Sequence, residues 1–113
     1  MTLEKIQEIG MMMISKIGLA KSNYVESLSE SREGNFERAK QLIQEADLLK
    51  IEAHTEHFGL IQLEASGNQL PFSLILMHAE DQLLTCEVFH KIALEHITLY
   101  TRIKKLEDVI IKD

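Results

Sequence analysis

Apolar residues recur every three or four positions along nearly the whole chain, which is the spacing of one face of an α-helix. Only two stretches interrupt this pattern, SREGNF at 31–36 and ASGNQLP at 65–71, and both have the glycine and polar residues typical of turns. The pattern therefore predicts three helical segments, at residues 3–31, 36–65 and 71–109. Pro71 is expected in the first turn of the third segment, where its missing N–H costs nothing.

Each segment carries an apolar stripe that can face a shared core. In the first segment the stripe is Leu3, Ile6, Met13, Ile17, Ala20, Tyr24 and Leu28, and in the second it is Phe36, Ala39, Ile43, Ala46, Ala53, Leu60 and Leu63. Short connections between long helices make neighbouring helices antiparallel. The sequence thus predicts an all-α fold, an antiparallel up-down-up three-helix bundle, with residues 1–113 forming a single domain.

The third segment contains LILMHAEDQLLT at 74–85, a run of large apolar residues with one histidine and one aspartate. On a helical wheel turning about 100° per residue, the positions closest to His78 are Leu74, Asp81, Gln82, Thr85, Phe89, Ile92, His96, Leu99 and Ile103. Charged residues, Glu80 among them, fall on the opposite side. The wheel therefore predicts that His78 and Asp81 lie at the centre of the face that becomes buried.

This face is too long for two neighbouring helices to cover, and a symmetric oligomer is the expected way to bury it. Aspartates brought together on a symmetry axis would repel one another or share a metal ion. Carboxylate oxygens suit a hard cation such as Mg²⁺. A histidine on an apolar face is, however, more often a structural residue, and the pattern alone leaves that alternative open.

Composition narrows the class of protein. Apolar residues make up 45% and charged residues 27% of the 113, which is ordinary for a folded domain. The net charge of −6 argues against nucleic acid and against an anionic membrane surface. A single cysteine, Cys86, fits a reducing compartment, and no signal peptide or apolar run of membrane length is found. We therefore expect a cytoplasmic protein without membrane insertion.

Two further histidines have a spacing that could serve a metal ion. His54 and His57 are three residues apart with Glu52 and Glu56 nearby, but no HExxH or CxxC pattern accompanies them. A solvated or bundle-packed position is the favoured interpretation for these histidines. Cys86 is expected to be a small apolar core residue.

Four motifs together resemble the lactose/cellobiose-specific enzyme IIA components of the bacterial phosphoenolpyruvate-dependent sugar phosphotransferase system. HAEDQLL at 78–84 resembles the family's HAQDHLM-type signature, and IGLAKS at 17–22 is similar to its first-helix AGxAxS segment. SREGNFERAKQLIQEA at 31–46 is similar to its AREGDF loop and second helix, and EAHTEHFGLIQLEASG at 52–67 to its AHxxQT…EAG stretch. Their order and spacing make the resemblance fairly specific over almost the whole chain.

The resemblance implies a homotrimer of three-helix bundles that acts as a phosphotransferase component without nucleotide. His78 falls on the histidine that accepts a phosphoryl group from phospho-HPr and passes it to a cysteine of enzyme IIB. Through the membrane enzyme IIC this relay serves uptake and phosphorylation of a β-linked disaccharide of the lactose, cellobiose or chitobiose class. Asp81 falls on the aspartate whose three copies hold one metal ion, expected to be Mg²⁺, on the trimer axis.

Three departures from the family pattern stand near this site. Glu80 and Gln82 replace the usual glutamine and histidine, and His57-Phe58 replaces a Gln-Thr pair. Gln82 is still predicted to contact the phosphoryl group, because an amide donates hydrogen bonds, although it carries no positive charge. Glu80 is expected to have little effect on the site around His78, because it lies on the opposite side of the wheel. These departures keep a second interpretation open, in which the chain is a non-catalytic helical oligomeric adaptor or metal-binding bundle.

Overall fold

The computed structural model describes residues 1–111, which form helices α1 (Leu3–Arg32), α2 (Phe36–Ala65) and α3 (Leu74–Ile111) with no strand between them. The prediction of an all-α three-helix fold is confirmed. Lys16 of α1 pairs with Glu52 of α2, and Lys50 of α2 pairs with Glu87 of α3, so successive helices are antiparallel. α1 packs along both other helices, whereas α2 and α3 touch over a shorter stretch.

Glycine makes both turns possible. Gly34 and Gly67 have φ angles of 83° and 99°, in the left-handed region that side chains other than glycine rarely adopt. After α1, the amide of Asn35 donates to the carbonyl of Glu30, and after α2 the amide of Asn68 donates to the carbonyl of Leu63. These bonds close both helices in the same manner, and the sequence prediction of the two breaks is confirmed.

The third helix begins at Leu74, three residues later than predicted. Ser73 rather than Pro71 marks its start: the Ser73 hydroxyl oxygen accepts a hydrogen bond from the Leu76 amide at 3.2 Å. The Ser73 carbonyl accepts from the Met77 amide at 3.1 Å. A serine in this position satisfies amides that have no partner within the helix. Proline therefore precedes the helix here instead of occupying its first turn.

Small residues bring the helices close together. Ala20, Ala46, Ala53, Ala79 and Ala93 are all fully buried where the helices meet. At Gly10 of α1 an added Cβ would come within 3.0 Å of Ile75 of α3. The predicted stripes of α1 and α2 form much of this core, except that Leu3 and Leu63, near helix ends, are exposed. Cys86 is fully buried as expected, and burial raises the pKa of its thiol.

A polar cluster inside the bundle joins all three helices. The hydroxyl of fully buried Tyr24 donates to the carboxylate of Asp47, and Nδ1 of His90 lies 2.8 Å from Oδ1 of Asp47. The rings of Tyr24 and His90 meet edge to face, with centroids 5.7 Å apart. Burial and the neighbouring Asp47 raise the pKa of Tyr24. His90 therefore packs and forms hydrogen bonds within this cluster.

The molecule is elongated, with extents of 68 × 21 × 18 Å. No helix within residues 1–111 is both long enough and apolar enough to cross a membrane. At 38 residues α3 is longer than α1 and α2, which have 30 each. Its last turns therefore extend past the α1–α2 turn at Gly34.

Candidate functional site

α3 has two apolar faces, and the helical wheel centred on His78 does not separate the face that packs in the bundle from the face that is exposed. The inner face, which packs in the bundle, is formed by buried Ala79, Leu83, Cys86 and Ala93. His78 lies about 100° around the helix from Ala79, and it is exposed, as is Asp81. The prediction that both lie at the centre of a buried face is therefore wrong for the single chain. The apolar residues around them belong to a second face.

This second face points away from the bundle, and we call it the outward stripe. It consists of Leu74, Met77, Asp81, Leu84, Val88, Ile92, Leu99 and Leu106, which recur every three, four or seven residues. Its apolar members are large and exposed, for example Leu84 at 70% and Val88 at 56%. Glu95 and Arg102 interrupt the stripe toward its C-terminal end, but from Leu74 to Ile92 it is apolar apart from Asp81. An exposed apolar surface of this kind is typical of a contact between protein molecules.

His78 stands at the border between the outward stripe and the groove where α3 meets α1. Its ring makes no hydrogen bond to any of the residues that the structure describes, and its side chain is open to solvent. A neutral imidazole in this position has a lone pair available for a partner protein that approaches from outside. The residue can act as a nucleophile without first breaking a contact within its own chain.

One helical turn beyond His78, the groove between α1 and α3 holds a lysine. Lys21 of α1 donates hydrogen bonds to Oε1 of Gln82 and to Oγ1 of Thr85, each at 2.5 Å. Its ammonium group also lies 5.6 Å from the centroid of the Phe89 ring. With Oε1 occupied, the Nε2 group of Gln82 is the end of the amide that remains to donate to a ligand.

Sequence reasoning missed Lys21, although the residue lies in the quoted IGLAKS segment. Periodicity places Lys21 at the edge of the α1 stripe, but it does not give the register of α1 against α3. The only signal in the sequence is a lysine directly after Ala20, one of the residues that the stripe predicts to be buried. A long cationic side chain beside a core position can reach a neighbouring helix.

Asp81 presents its carboxylate on the outward stripe, among Met77, Leu84 and Val88. It is exposed and has no hydrogen-bond or ion-pair partner in residues 1–111. Its oxygens fit a hard cation such as Mg²⁺, but one carboxylate is too few for the six or so ligands of such an ion. No group of three or more histidine, cysteine, aspartate or glutamate residues within the described chain could hold a metal.

The alternative metal site at His54 and His57 is not assembled. Nε2 of His57 lies 2.6 Å from Oε2 of Glu80 on α3, and His54 stacks on Phe58 with ring centroids 6.5 Å apart. His57 and Glu80 are two of the departures from the family pattern, and the structure makes them partners. Glu80 lies on the side of α3 away from Lys21, as the wheel indicated, but there it is half-buried and paired with α2 and not simply solvated.

A groove of about 390 Å³ lies beside the His57–Glu80 pair, between the end of α2 and the start of α3. Its lining includes Leu60, Pro71 and Met77, but none of His78, Lys21 and Gln82. The groove is therefore separate from the histidine. His78 is offered on an open surface, which suits contact with another protein more than enclosure of a small substrate.

Comparison with known proteins gives consistent matches. Residues 8–101 match the family described as "PTS system, Lactose/Cellobiose specific IIA subunit". The chain is 33% identical over 102 residues to the PTS system lactose-specific EIIA component of Lactococcus lactis subsp. lactis, covering 90% of this chain and 97% of that protein. The Staphylococcus aureus (strain N315) protein of the same name is 29% identical over an equal length, covering 90% of this chain and 99% of that protein.

Solved structures agree with the sequence matches. The crystal structure of the PTS cellobiose-specific enzyme IIA from Bacillus anthracis superimposes with a TM-score of 0.85 at 30% identity, over 93% of this chain and 94% of that one. The crystal structure of PtcA from S. mutans gives a TM-score of 0.86 at 33% identity, over 89% of this chain and 99% of that one.

Proposed function

The chain belongs to the lactose/cellobiose-specific IIA family of the sugar phosphotransferase system, a family of phosphocarriers in sugar uptake, and we propose that His78 carries the phosphoryl group. The resemblance seen in the four motifs is thereby confirmed at the level of the family. The observation that carries the proposal for His78 is its position. The ring falls on the histidine of the HAQDHLM-type signature, is exposed, and has no hydrogen bond among the described residues.

The proposed reaction is a relay between proteins. A ring nitrogen of His78 attacks the phosphorus of phospho-HPr, so that a new N–P bond forms while the bond from HPr to phosphorus breaks. A cysteine sulfur of enzyme IIB then attacks the same phosphorus, and His78 recovers its lone pair. The protein contributes position and electrostatics, which is most of what phosphoryl transfer requires. Nε2 of Gln82 would donate a hydrogen bond to a phosphoryl oxygen.

The sugar that receives the phosphoryl group is proposed to be a β-linked disaccharide of the lactose, cellobiose or chitobiose class, taken up through the membrane enzyme IIC. The matched proteins from Lactococcus lactis and Bacillus anthracis are named for lactose and cellobiose respectively. The relay would operate in the cytoplasm, where phospho-HPr is formed. No sugar pocket is needed at His78 itself, because the relay partners are proteins.

The outward stripe supports a homotrimer in which three copies of α3 meet. Such an arrangement would cover exposed side chains such as Leu84 and Val88 and would bring three Asp81 carboxylates together. One Mg²⁺ per trimer would then be held by these carboxylates, with water completing its ligands. The ion would neutralise charges that otherwise repel one another across the contact.

Phosphorylation with purified components tests the proposal for His78. The protein is incubated with phosphoenolpyruvate, enzyme I and HPr, and its intact mass is measured. We expect a gain of one phosphoryl group that is labile in acid and stable in base, absent from His78→Ala. His54→Ala is the matched control, because His54 is also exposed, and it must still be labelled.

A second function, as a non-catalytic adaptor or metal-binding bundle, is favoured by one observation. Position 82 carries a neutral glutamine where the family pattern has a histidine. A folded oligomer that never acquires the label would establish this second function. Label that persists in His78→Ala would instead move the phosphorylation site to another residue.

A further inference from the structure

We infer that Lys21 is the cation that binds the phosphoryl group once it is on His78. The inference rests on the proposed function of His78 and adds to it a residue from a different helix. It concerns the groove between α1 and α3, in which the ammonium group of Lys21 is held by Gln82 and Thr85.

Charge distinguishes Lys21 from other lysines that bridge helices. Lys16 bonds the carboxylate of Glu52 at 2.7 Å, and Lys50 bonds that of Glu87 at 3.2 Å, so both have a neutralising partner. Lys21 bonds only an amide oxygen and a hydroxyl oxygen within the described chain. A half-buried ammonium group without a carboxylate is unusual, because desolvating an uncompensated charge costs free energy. An anion that arrives later would compensate it.

Position makes His78 the place where such an anion would arrive. His78 precedes Gln82 by four residues, and side chains at that spacing on a helix have Cβ atoms about 5–6 Å apart. An ammonium group has three N–H donors, and two of those on Lys21 are used by Gln82 and Thr85. The third can donate to a phosphoryl oxygen on the neighbouring ring.

The need for a cation follows from the residues next to His78 on α3. Glu80 and Asp81 both carry carboxylates, and the transferred group adds further negative charge. Neither carboxylate can supply the positive charge that a phosphoryl group needs, and Glu80 is already paired with His57. Gln82 cannot supply positive charge where the family pattern has a histidine. Lys21 is therefore the lysine that the fold brings to this turn of α3.

No proton has to move for this contact to form. The N–P bond forms at His78 as the bond from phosphorus to HPr breaks, and the electron pair of that bond returns to the HPr atom that carried the phosphorus. The ammonium group of Lys21 donates a charge-assisted hydrogen bond, which exists only in the phosphorylated protein. Lys21 should therefore raise the share of the phosphoryl group that this protein holds at equilibrium with HPr.

The test is the equilibrium partition of the phosphoryl group between HPr and the full-length protein. Lys21→Met should shift this partition toward phospho-HPr by about tenfold to a hundredfold, the range for a hydrogen bond to a charged group. Lys21→Arg should stay close to the parent protein, because it keeps the charge. Lys16→Met is the matched control on the same helix and should leave the partition unchanged.

A second measurement separates direct contact from an effect through Gln82. If Lys21 bonds the phosphoryl group, Lys21→Met must still shift the partition when Gln82 is already leucine. No shift on that background would reduce Lys21 to a positioning residue for Gln82 and overturn the inference. Lys21→Gln keeps a hydrogen-bond donor without charge and must shift the partition as well, so the test survives if Lys21→Met folds poorly.

The outcomes for the inference and for the proposed function are distinct. An unlabelled parent protein removes the proposed function, and the inference falls with it. A labelled parent whose partition is unchanged by Lys21→Met leaves His78 as the phosphoryl carrier and refutes the role of Lys21 alone.

Discussion

The two apolar faces of α3 differ in whether a single chain covers their side chains. On the inner face Ala79, Cys86 and Ala93 are fully buried, and small residues there let α3 lie close to its neighbours. On the outward stripe Leu84 and Val88 are large and exposed. The inner face is completed by the fold of one chain, whereas the outward stripe is completed only by something else. Apolar character alone did not distinguish them.

The polar groups that meet the two faces of α3 also differ in whether they have hydrogen-bond partners. Inside the bundle, Tyr24, Asp47 and His90 satisfy one another across three helices. On the outward stripe, Asp81 has no partner among the described residues. An unpaired carboxylate on an apolar surface, in a chain whose Tyr24–Asp47–His90 cluster is fully paired, fits the proposed contact with further copies of the chain or with a cation.

Adjacent leucines give the largest test of this comparison. Leu83 is 6% exposed on the inner face, and Leu84 is 70% exposed on the outward stripe. Leu83→Asp should lower the free energy of unfolding by several kcal/mol, because it buries an unpaired charge in the core. Leu84→Asp should leave the helices intact but separate the copies. The molecular mass measured by sedimentation equilibrium should then fall from about three times 13.0 kDa to 13.0 kDa.

Circular dichroism of both variants supplies the control. The distinction between the faces fails if Leu84→Asp unfolds as readily as Leu83→Asp, or if the parent protein already sediments as a monomer.

A smaller effect is expected at Asp81. Replacing Asp81 with leucine removes the unpaired charge and adds apolar area to the outward stripe. The oligomer should persist, with a melting temperature that no longer responds to EDTA and that equals or exceeds the parent value. The parent should melt at a lower temperature in EDTA, because the carboxylates then repel one another. Equal sensitivity to EDTA in both proteins would place any bound metal away from Asp81.

The smallest effect concerns Tyr24 at high pH. Its pKa in the folded protein is raised above the value near 10 of an unfolded chain, mainly by burial. The neutral phenol is therefore favoured by folding, so its contribution to stability is complete below about pH 10 and is lost as pH rises further. Melting temperatures should fall above that pH, and Tyr24→Phe should weaken the fall.

Protein concentration separates this effect from that of Asp81. Tyr24 lies within one chain, so the pH dependence that it causes should be the same at high and low protein concentration. A dependence that changes with dilution would assign it to the contact between copies instead.

The sequence predicted the helices well because their signals are local. Apolar spacing and the glycines at the two turns define the segments. The largest difference is at the start of α3, which lies three residues beyond the predicted one because Ser73 and not Pro71 marks the start of the helix. The choice between the faces of α3 could not be predicted, because a wheel gives the angle of a residue but not its neighbour. Lys21 was missed for the same reason: its contacts with Gln82 depend on the register of two helices.

The departures from the family pattern show a further limit. Glu80 and His57 were considered separately in the sequence, and Glu80 was expected to have little effect. In the structure they form a pair between α2 and α3, 2.6 Å apart. These two departures are 23 residues apart in the sequence, yet the two side chains contact each other in the folded protein. Gln82 remains the departure that touches the candidate site, and Lys21 is its partner.

The central place of α1 determines when the candidate site comes into existence during folding. α1 and α2 are joined by a tight turn and can pair early, because closing a short loop costs little conformational entropy. The groove that holds Lys21 and Gln82 joins residues 61 positions apart, and it forms only after α3 has docked on that hairpin. The α1–α2 hairpin therefore contains the cation without the histidine. The site therefore requires α3 to be docked, and a chain in which α3 has not docked lacks the contact between Lys21 and Gln82.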